Sequence, residues 1–250
     1  MPPPKPHQRT SKTPAPNPPT ESPNSTLFFY MPDEKPYGLF CQWHPSPFTV
    51  STSALVWLLT EGPQPPSFSD TTTMINGEPA DPLVAASREL PILATSKINF
   101  NCAEQFMMFA KALYFSDFRT AVRIMDSKSP KEQQALGAAV AGFSSERWGH
   151  VKAGHERMVK ERVVEQGNYC KFTQNRAFRE VLLGTGEREL AEAGSKDRTW
   201  GIGYTAKNAE RYRSYWGQNL LGKCLMRARG WIREDVAKRE ESRGGGGTKR

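Results

Sequence analysis

The stretch from Ile98 to Phe118, INFNCAEQFMMFAKALYFSDF, constrains this chain more than any other. Asn101 reads as an N-cap, and Glu104 falls in the first turn, where a helix favours negative charge. Wound at about 100° per residue, the run separates into two faces. Phe106, Phe109, Ala110 and Leu113 form one apolar stripe suited to a core. The other face carries Glu104, Met107, Met108, Lys111 and Phe115, too apolar for water yet holding an acid and a base. Glu104 and Lys111 are seven residues apart, so they point the same way, about 10 Å apart along the axis at 1.5 Å per residue. The pattern predicts a buried helix with one face on the core and the other lining a pocket. An apolar-walled pocket with two ionisable groups is where function is sought. A solvated or structural ion pair is the competing reading.

Around this helix the chain is long enough, at 250 residues, for one domain of about 200 residues with tails. Cys41, Cys102, Cys170 and Cys224 form no CxxC pair, which predicts reduced thiols in an intracellular protein, cytoplasmic or nuclear. No apolar run approaches the roughly 18 residues of a membrane span, and the proline-rich start carries no secretory pattern. No His, Cys or carboxylate set has metal-ligand spacing; His150 and His155, five apart, fit no zinc pair. Neither a metal nor a cofactor is expected. The net charge is +8, and about half of it lies in the two ends, leaving a mildly basic middle. That suits an anionic ligand such as a phosphorylated nucleotide, and leaves nucleic acid open.

In order, residues 1–26 lack core-forming side chains and read as a disordered tail. A domain is expected over residues 27–235 and a flexible basic, glycine-rich tail over 236–250. Leu27–Met31 reads as a strand. Tyr37–Trp43 reads either as an aromatic core strand with a turn glycine at Gly38 or as a close approach of backbone to ligand. Residues 51–97 give no clear pattern beyond a short helix in Ser51–Thr60 and a loop or hairpin in Thr71–Asp81. Ser129, Pro130 and Glu132 mark a helix start with a capping box, running through Val140 to Gly142. Trp148–Val164 is predicted as one amphipathic helix ending near Gly167. Phe178–Leu183 and Glu187–Glu192 are predicted as two short helices, and Asn219–Lys238 as a closing helix. Asp197–Tyr204 mixes acid, tryptophan and glycine in the manner of a site loop.

These segments together resemble the NADAR family, also described as YbiA-like N-glycosidases of riboflavin-biosynthesis intermediates. The resemblance runs over about residues 28–232. It rests on Tyr37-Gly38-Leu39-Phe40, on the helix from Glu104 to Lys111, on Ser129-Pro130-Lys131-Glu132 with Leu136-Gly137, and on Arg147-Trp148 with Lys152 and Met158. It continues through Phe172-Gln174-Asn175, Leu182-Leu183, Thr185-Gly186, Asp197 with Trp200-Gly201 and Gly203, and Asn219-Leu220-Gly222 with Leu225-Met226 and Arg229. The chain departs from the family at Gln105-Phe106, where a histidine-aromatic pair is usual, and at Met108, where glutamine is usual. Its segment from Val50 to Lys97 is longer than in compact members.

The resemblance implies an α+β fold, mostly helical and single-domain with a small sheet. It implies cleavage of an N-glycosidic bond, either in a phosphoribosyl amino-pyrimidine intermediate or between ADP-ribose and guanine. The partner is then a small-molecule or nucleotide substrate of the ribosyl-phosphate or ADP-ribose type, with ADP-ribosylated nucleic acid open as a target. Glu104, Lys111 and Asp197 are the expected catalytic residues. Gly38, Phe40, Met108, Trp148, Asn175, Trp200 and Gly201 are the expected ligand-binding ones. Two other classes stay open: a non-catalytic reader of ADP-ribose or NAD, and a nucleic-acid-associated protein.

Overall fold

A computed structural model describes residues 25–63, 74–75, 78–79 and 81–244. Residues 1–24 of the N-terminal tail and 245–250 of the C-terminal one lie outside these residues, as does much of the segment after Pro63, whereas residues 236–244, read from sequence as part of a flexible tail, are helical. Strand β1 (Leu27–Phe29) is followed by a 3-10 turn, Tyr37–Phe40, where the sequence allowed a strand. Gly38 explains the turn: a Cβ there would lie 2.6 Å from the Pro32 carbonyl oxygen, so only glycine lets the chain fold back so closely. β2 (Phe48–Ser51), a 3-10 turn Thr52–Leu55, α1 (Val56–Glu61) and a two-residue pair, β3 (Met74–Ile75) with β4 (Glu78–Pro79), come next. Then follow α2 (Pro82–Ser87) and β5 (Lys97–Phe100).

The central helix, α3, spans Ala103–Tyr114, and every residue of it is buried. Its N-cap is Cys102, one residue later than expected, with the sulfur accepting from the Gln105 amide. Asn101 is engaged otherwise: its amide donates to Gln105 Oε1 at 2.8 Å. The Gln105 amide nitrogen reaches the carbonyls of Ile124, Met125 and Ser127 at 3.0–3.2 Å. This side chain therefore ties the start of the central helix to the end of α4 (Phe118–Asp126). Phe106, Phe109 and Leu113 are fully buried, each contributing about 1.5–3 kcal/mol of apolar burial.

α5 (Pro130–Ala138) starts at Ser129, whose hydroxyl caps the Glu132 amide. The reciprocal half of the box is replaced, because Glu132 accepts from Ser127 Oγ at 2.6 Å. The expected Trp148–Val164 helix is instead two pieces, α6 (Ser145–Trp148) and α7 (Val159–Gln174), joined by a loop pinned by the Val151–Met158 bridge. Gly154, at φ +82°, breaks the helical run. Gly167 ends nothing: it lies mid-helix, where a Cβ would sit 2.6 Å from the Phe106 ring, and so lets α7 close on α3. α8 (Arg176–Gly184) follows. The predicted Glu187–Glu192 helix is a strand, β6 (Leu190–Glu192), paired in parallel with β1, Phe29 opposite Glu192. After α9 (Ala206–Ala209) and a 3-10 turn, the closing helix α10 runs Leu220–Gly244, further than expected. Propensity accounts for the extension, since Arg239, Glu240 and Glu241 are all good helix formers. β2 and β5 pair antiparallel, giving three two-stranded sheets among the described residues.

Buried charge ties α7 to α10. Arg227 reaches Glu161 at 2.7 Å and also holds Glu165, which Arg157 meets at 3.0 Å. Among the described residues, Glu161, Glu165 and Cys224 are the one group with donor atoms close enough for a metal, within 4.8 Å of one another. The arginines already take both carboxylates, so the group is an ion-pair cluster. The four cysteines are free thiols, and no described helix is long and apolar enough to cross a membrane.

Candidate active site

The pocket-facing side of the central helix opens into a cleft of ≈ 900 Å³ whose wall includes Glu104, Met107, Met108 and Lys111. The fifth residue of that face, Phe115, is buried beyond the cleft against Phe143 and Trp148. Burial dominates the chemistry here. It pushes the Glu104 carboxyl up from 4.5 to about 7, against the opposing pull of a Trp43 side-chain hydrogen bond and of Lys111. It also pushes the Lys111 ammonium down from 10.5 to about 8, with Glu104 pulling it back. Lys111 Nζ donates to the Gly137 carbonyl at 2.8 Å and lies 3.6 Å from the centre of the Phe143 ring. Gly137 makes this possible: a Cβ there would overlap Met108 Sδ at 1.9 Å, so glycine lets α5 lie directly over the central helix.

The opposite wall comes from the loop after β6. Asp197 Oδ1 accepts from the amides of Thr199 and Trp200, both at 2.8 Å, and Asp197 and Trp200 line the cleft. Lys160, Lys196 and Arg198 add positive charge to the wall. The structure thus gathers Glu104, Lys111, Asp197, Met108, Trp148 and Trp200 around one space. It places the other four sequence candidates elsewhere. Phe40 is fully buried, stacked on Tyr37 at 5.7 Å and edge-on to Phe29, because it serves the core. Gly38 supports the Met31-Pro32 rim from behind. Asn175 caps α8, accepting from the Phe178 amide at 3.0 Å. Gly201 makes room for backbone, with its Cβ position 2.9 Å from the Glu192 carbonyl oxygen.

Among the cleft residues that sequence reasoning missed, two carry chemistry beside Glu104 and Asp197. Trp43, at the end of the aromatic segment, meets Glu104. Glu192 lies in ERELAE, whose composition reads as helix, so nothing local marked it as a strand residue facing the cleft. Its amide donates to Asn219 Oδ1 at 3.2 Å, and its carbonyl accepts from Ile202 at 2.9 Å. Asn219, at φ +51°, also donates to the Leu190 carbonyl at 2.9 Å, so its side chain acts as a substitute strand along one edge of β6. In a second, more open depression of ≈ 590 Å³ near Trp57, Tyr169 and Trp231, Arg162 is held by Glu61 at 2.7 Å and Tyr169 by Asp235.

The NADAR domain family model matches residues 28–233. An N-glycosidase of Acanthamoeba polyphaga mimivirus is 38% identical over 129 residues, covering 51% of this chain and 71% of that protein. An N-glycosidase of Nostoc punctiforme is 33% identical over 105 residues, covering 42% of this chain and 56% of that protein. The solved structure of the Escherichia coli protein YbiA superposes with a TM-score of 0.53 at 19% identity, over 86% of this chain and 88% of that one, which speaks for the fold.

Proposed function

The chain belongs to the NADAR domain family, and from that premise we propose that it is an N-glycosidase, hydrolysing the bond between a ribose C1′ and the nitrogen of a base. The observation that carries this reading is the buried Glu104–Lys111 pair in the wall of a large cleft, with both groups brought toward neutrality by burial. The N-glycosidase names of the mimiviral and cyanobacterial relatives support it.

Breaking a ribosyl C–N bond passes through an oxocarbenium-like state, which a nearby carboxylate stabilises. In this reading Glu104 and Asp197, both on the cleft wall, take that role. With its ammonium near 8, Lys111 is a neutral amine for a useful fraction of time at neutral pH. Its nitrogen attacks C1′ as the C1′–base bond breaks, and the base leaves with one proton. Ring opening gives an imine; water adds across it and expels the lysine amine, leaving free ribose product. Trp200 and Trp148 offer flat faces to the base or sugar. Met108, on the same wall, presents sulfur where glutamine is usual in the family.

The substrate class is a ribosylated base carrying phosphate, either a phosphoribosyl amino-pyrimidine or ADP-ribosyl guanine. Lys160, Lys196 and Arg198 on the wall suit the anionic part of either. Chromatographic detection of released base, with both substrates run in parallel, tests the reading. Release from one and not the other names the substrate. Release from neither, with ADP-ribose binding retained by calorimetry, replaces the enzyme with a non-catalytic reader.

A further inference from the structure

We propose that Glu192 is a further catalytic residue, a neutral carboxylic acid that gives its proton to the departing base as the C1′–N bond breaks. This rests on the N-glycosidase reading above. Glu192 lines the same cleft as Glu104, Lys111 and Asp197. One of its carboxylate oxygens, Oε2, is buried with no hydrogen-bond partner. A buried carboxylate left ionised without partners is costly, whereas the protonated form is not, and it carries an O–H ready for a ligand. The residue is also held rigidly. β1 pairs with it on one side, the Asn219 amide takes its N–H on the other, and Ile202 donates to its carbonyl. Such a backbone aims a side chain far better than a free loop does.

The groups facing it favour the proton. From the loop that follows, Asp197 is its largest charged neighbour, and from the central helix Glu104 is the next; both are carboxyl groups. From the turn after Phe40, the Cys41 thiol lies within electrostatic reach and is itself held neutral by burial at about 11. From the closing helix comes only apolar Leu221. Lys111, Lys160, Lys196 and Arg198 are the cations elsewhere on the cleft wall. With burial acting first and the two carboxyls second, Glu192 is pushed up from 4.5 to about 8.

The three carboxyls then divide the work as environment dictates. Asp197 is fixed by two backbone amides, Glu104 sits with Lys111, and Glu192 remains as the proton donor. A base expelled as an anion is a poor leaving group, and proton donation to it is worth about 10²–10⁴ in rate. Glu192 becomes a carboxylate as the base leaves neutral, and the water that later attacks returns the proton, so the cycle consumes one water.

The test measures kcat and KM for Glu192→Gln on the N-riboside that the wild type cleaves, across pH. The expected result is a loss of kcat of about 100-fold or more, KM within about threefold, an unfolding midpoint no lower than wild type, and disappearance of the alkaline descending limb of the wild-type profile. A Glu192→Gln enzyme within about fivefold of wild-type kcat overturns the proposal. So does a wild-type profile with no descending limb, which needs no variant to fold. A wild type that cleaves no N-riboside overturns the function itself, and that outcome is visible before any variant is made.

Discussion

Replacing Glu104 with glutamine separates stability from chemistry. In the folded chain the Glu104 carboxyl lies at about 7 rather than 4.5, because burial opposes its charge. At about 1.4 kcal/mol per pKa unit, the ionised form costs the fold about 3 kcal/mol. The folded value is the higher one, so the stabilisation from proton binding is complete below about 4.5 and is lost as pH rises through about 7. Glutamine has nearly the same shape, accepts from Trp43 and never ionises. Glu104→Gln should therefore be more stable than wild type by about 2–3 kcal/mol at about pH 8.5. At about pH 5 the gain should be smaller by about 2 kcal/mol.

Urea denaturation at the two pH values measures this, read from the midpoint at constant slope. A gain equal at both pH values, or larger in acid, would refute the burial argument, because it would mean that Glu104 is not strained by its charge. Base release by the same variant should fall about 100-fold, the signature of a site that trades stability for function.

Other outcomes follow from single contacts. Lys111→Arg should stop base release while ligand binding stays measurable by calorimetry, since arginine keeps the charge but offers no neutral amine; borohydride added during wild-type turnover should leave a ribosyl adduct on Lys111 by mass spectrometry. Gly137→Ala drives a methyl into Met108 Sδ, and the cleft is where that side chain can swing. KM should therefore rise about tenfold while stability falls by less than about 1 kcal/mol. Gly222→Ala is different in kind, because its Cβ would lie 2.0 Å from the Leu190 carbonyl oxygen, which is backbone and cannot swing away. A loss of about 3 kcal/mol in urea is expected. Chelator treatment should leave turnover unchanged, which a rate assay with and without added divalent ion decides.

The central helix was legible because its pattern is local: 3.6-residue periodicity separates Phe106, Phe109 and Leu113 from Glu104, Met107, Met108 and Lys111. The Ser129 cap was legible for the same reason, its signal lying within four residues. Where the reading failed, the deciding contact was distant. ERELAE favours helix by propensity, yet Leu190–Glu192 is a strand because Leu27–Phe29 and Asn219 supply its hydrogen bonds. Gly167 looked like a terminator and is a contact point for Phe106. Phe40 looked available to a ligand and is claimed by Phe29, Tyr37 and Phe172. Glu192, the residue now given the proton, was hidden by the same strand that aims it.

That strand pairing also sets an order of assembly. β1 finds its partner only 163 residues later, counted from Leu27 to Leu190, and Asn219 must follow before β6 is held on both edges. At about 5–20 residues per second, a ribosome takes on the order of ten seconds or more to span that gap. The helical layer around Ala103–Tyr114 can gather meanwhile from nearer contacts, but the wall bearing Glu192 and Asp197 closes last. A nascent chain stalled short of Asn219 should therefore carry the lysine and glutamate of the central helix without the acid that faces them, and acquire activity only when synthesis passes the closing helix.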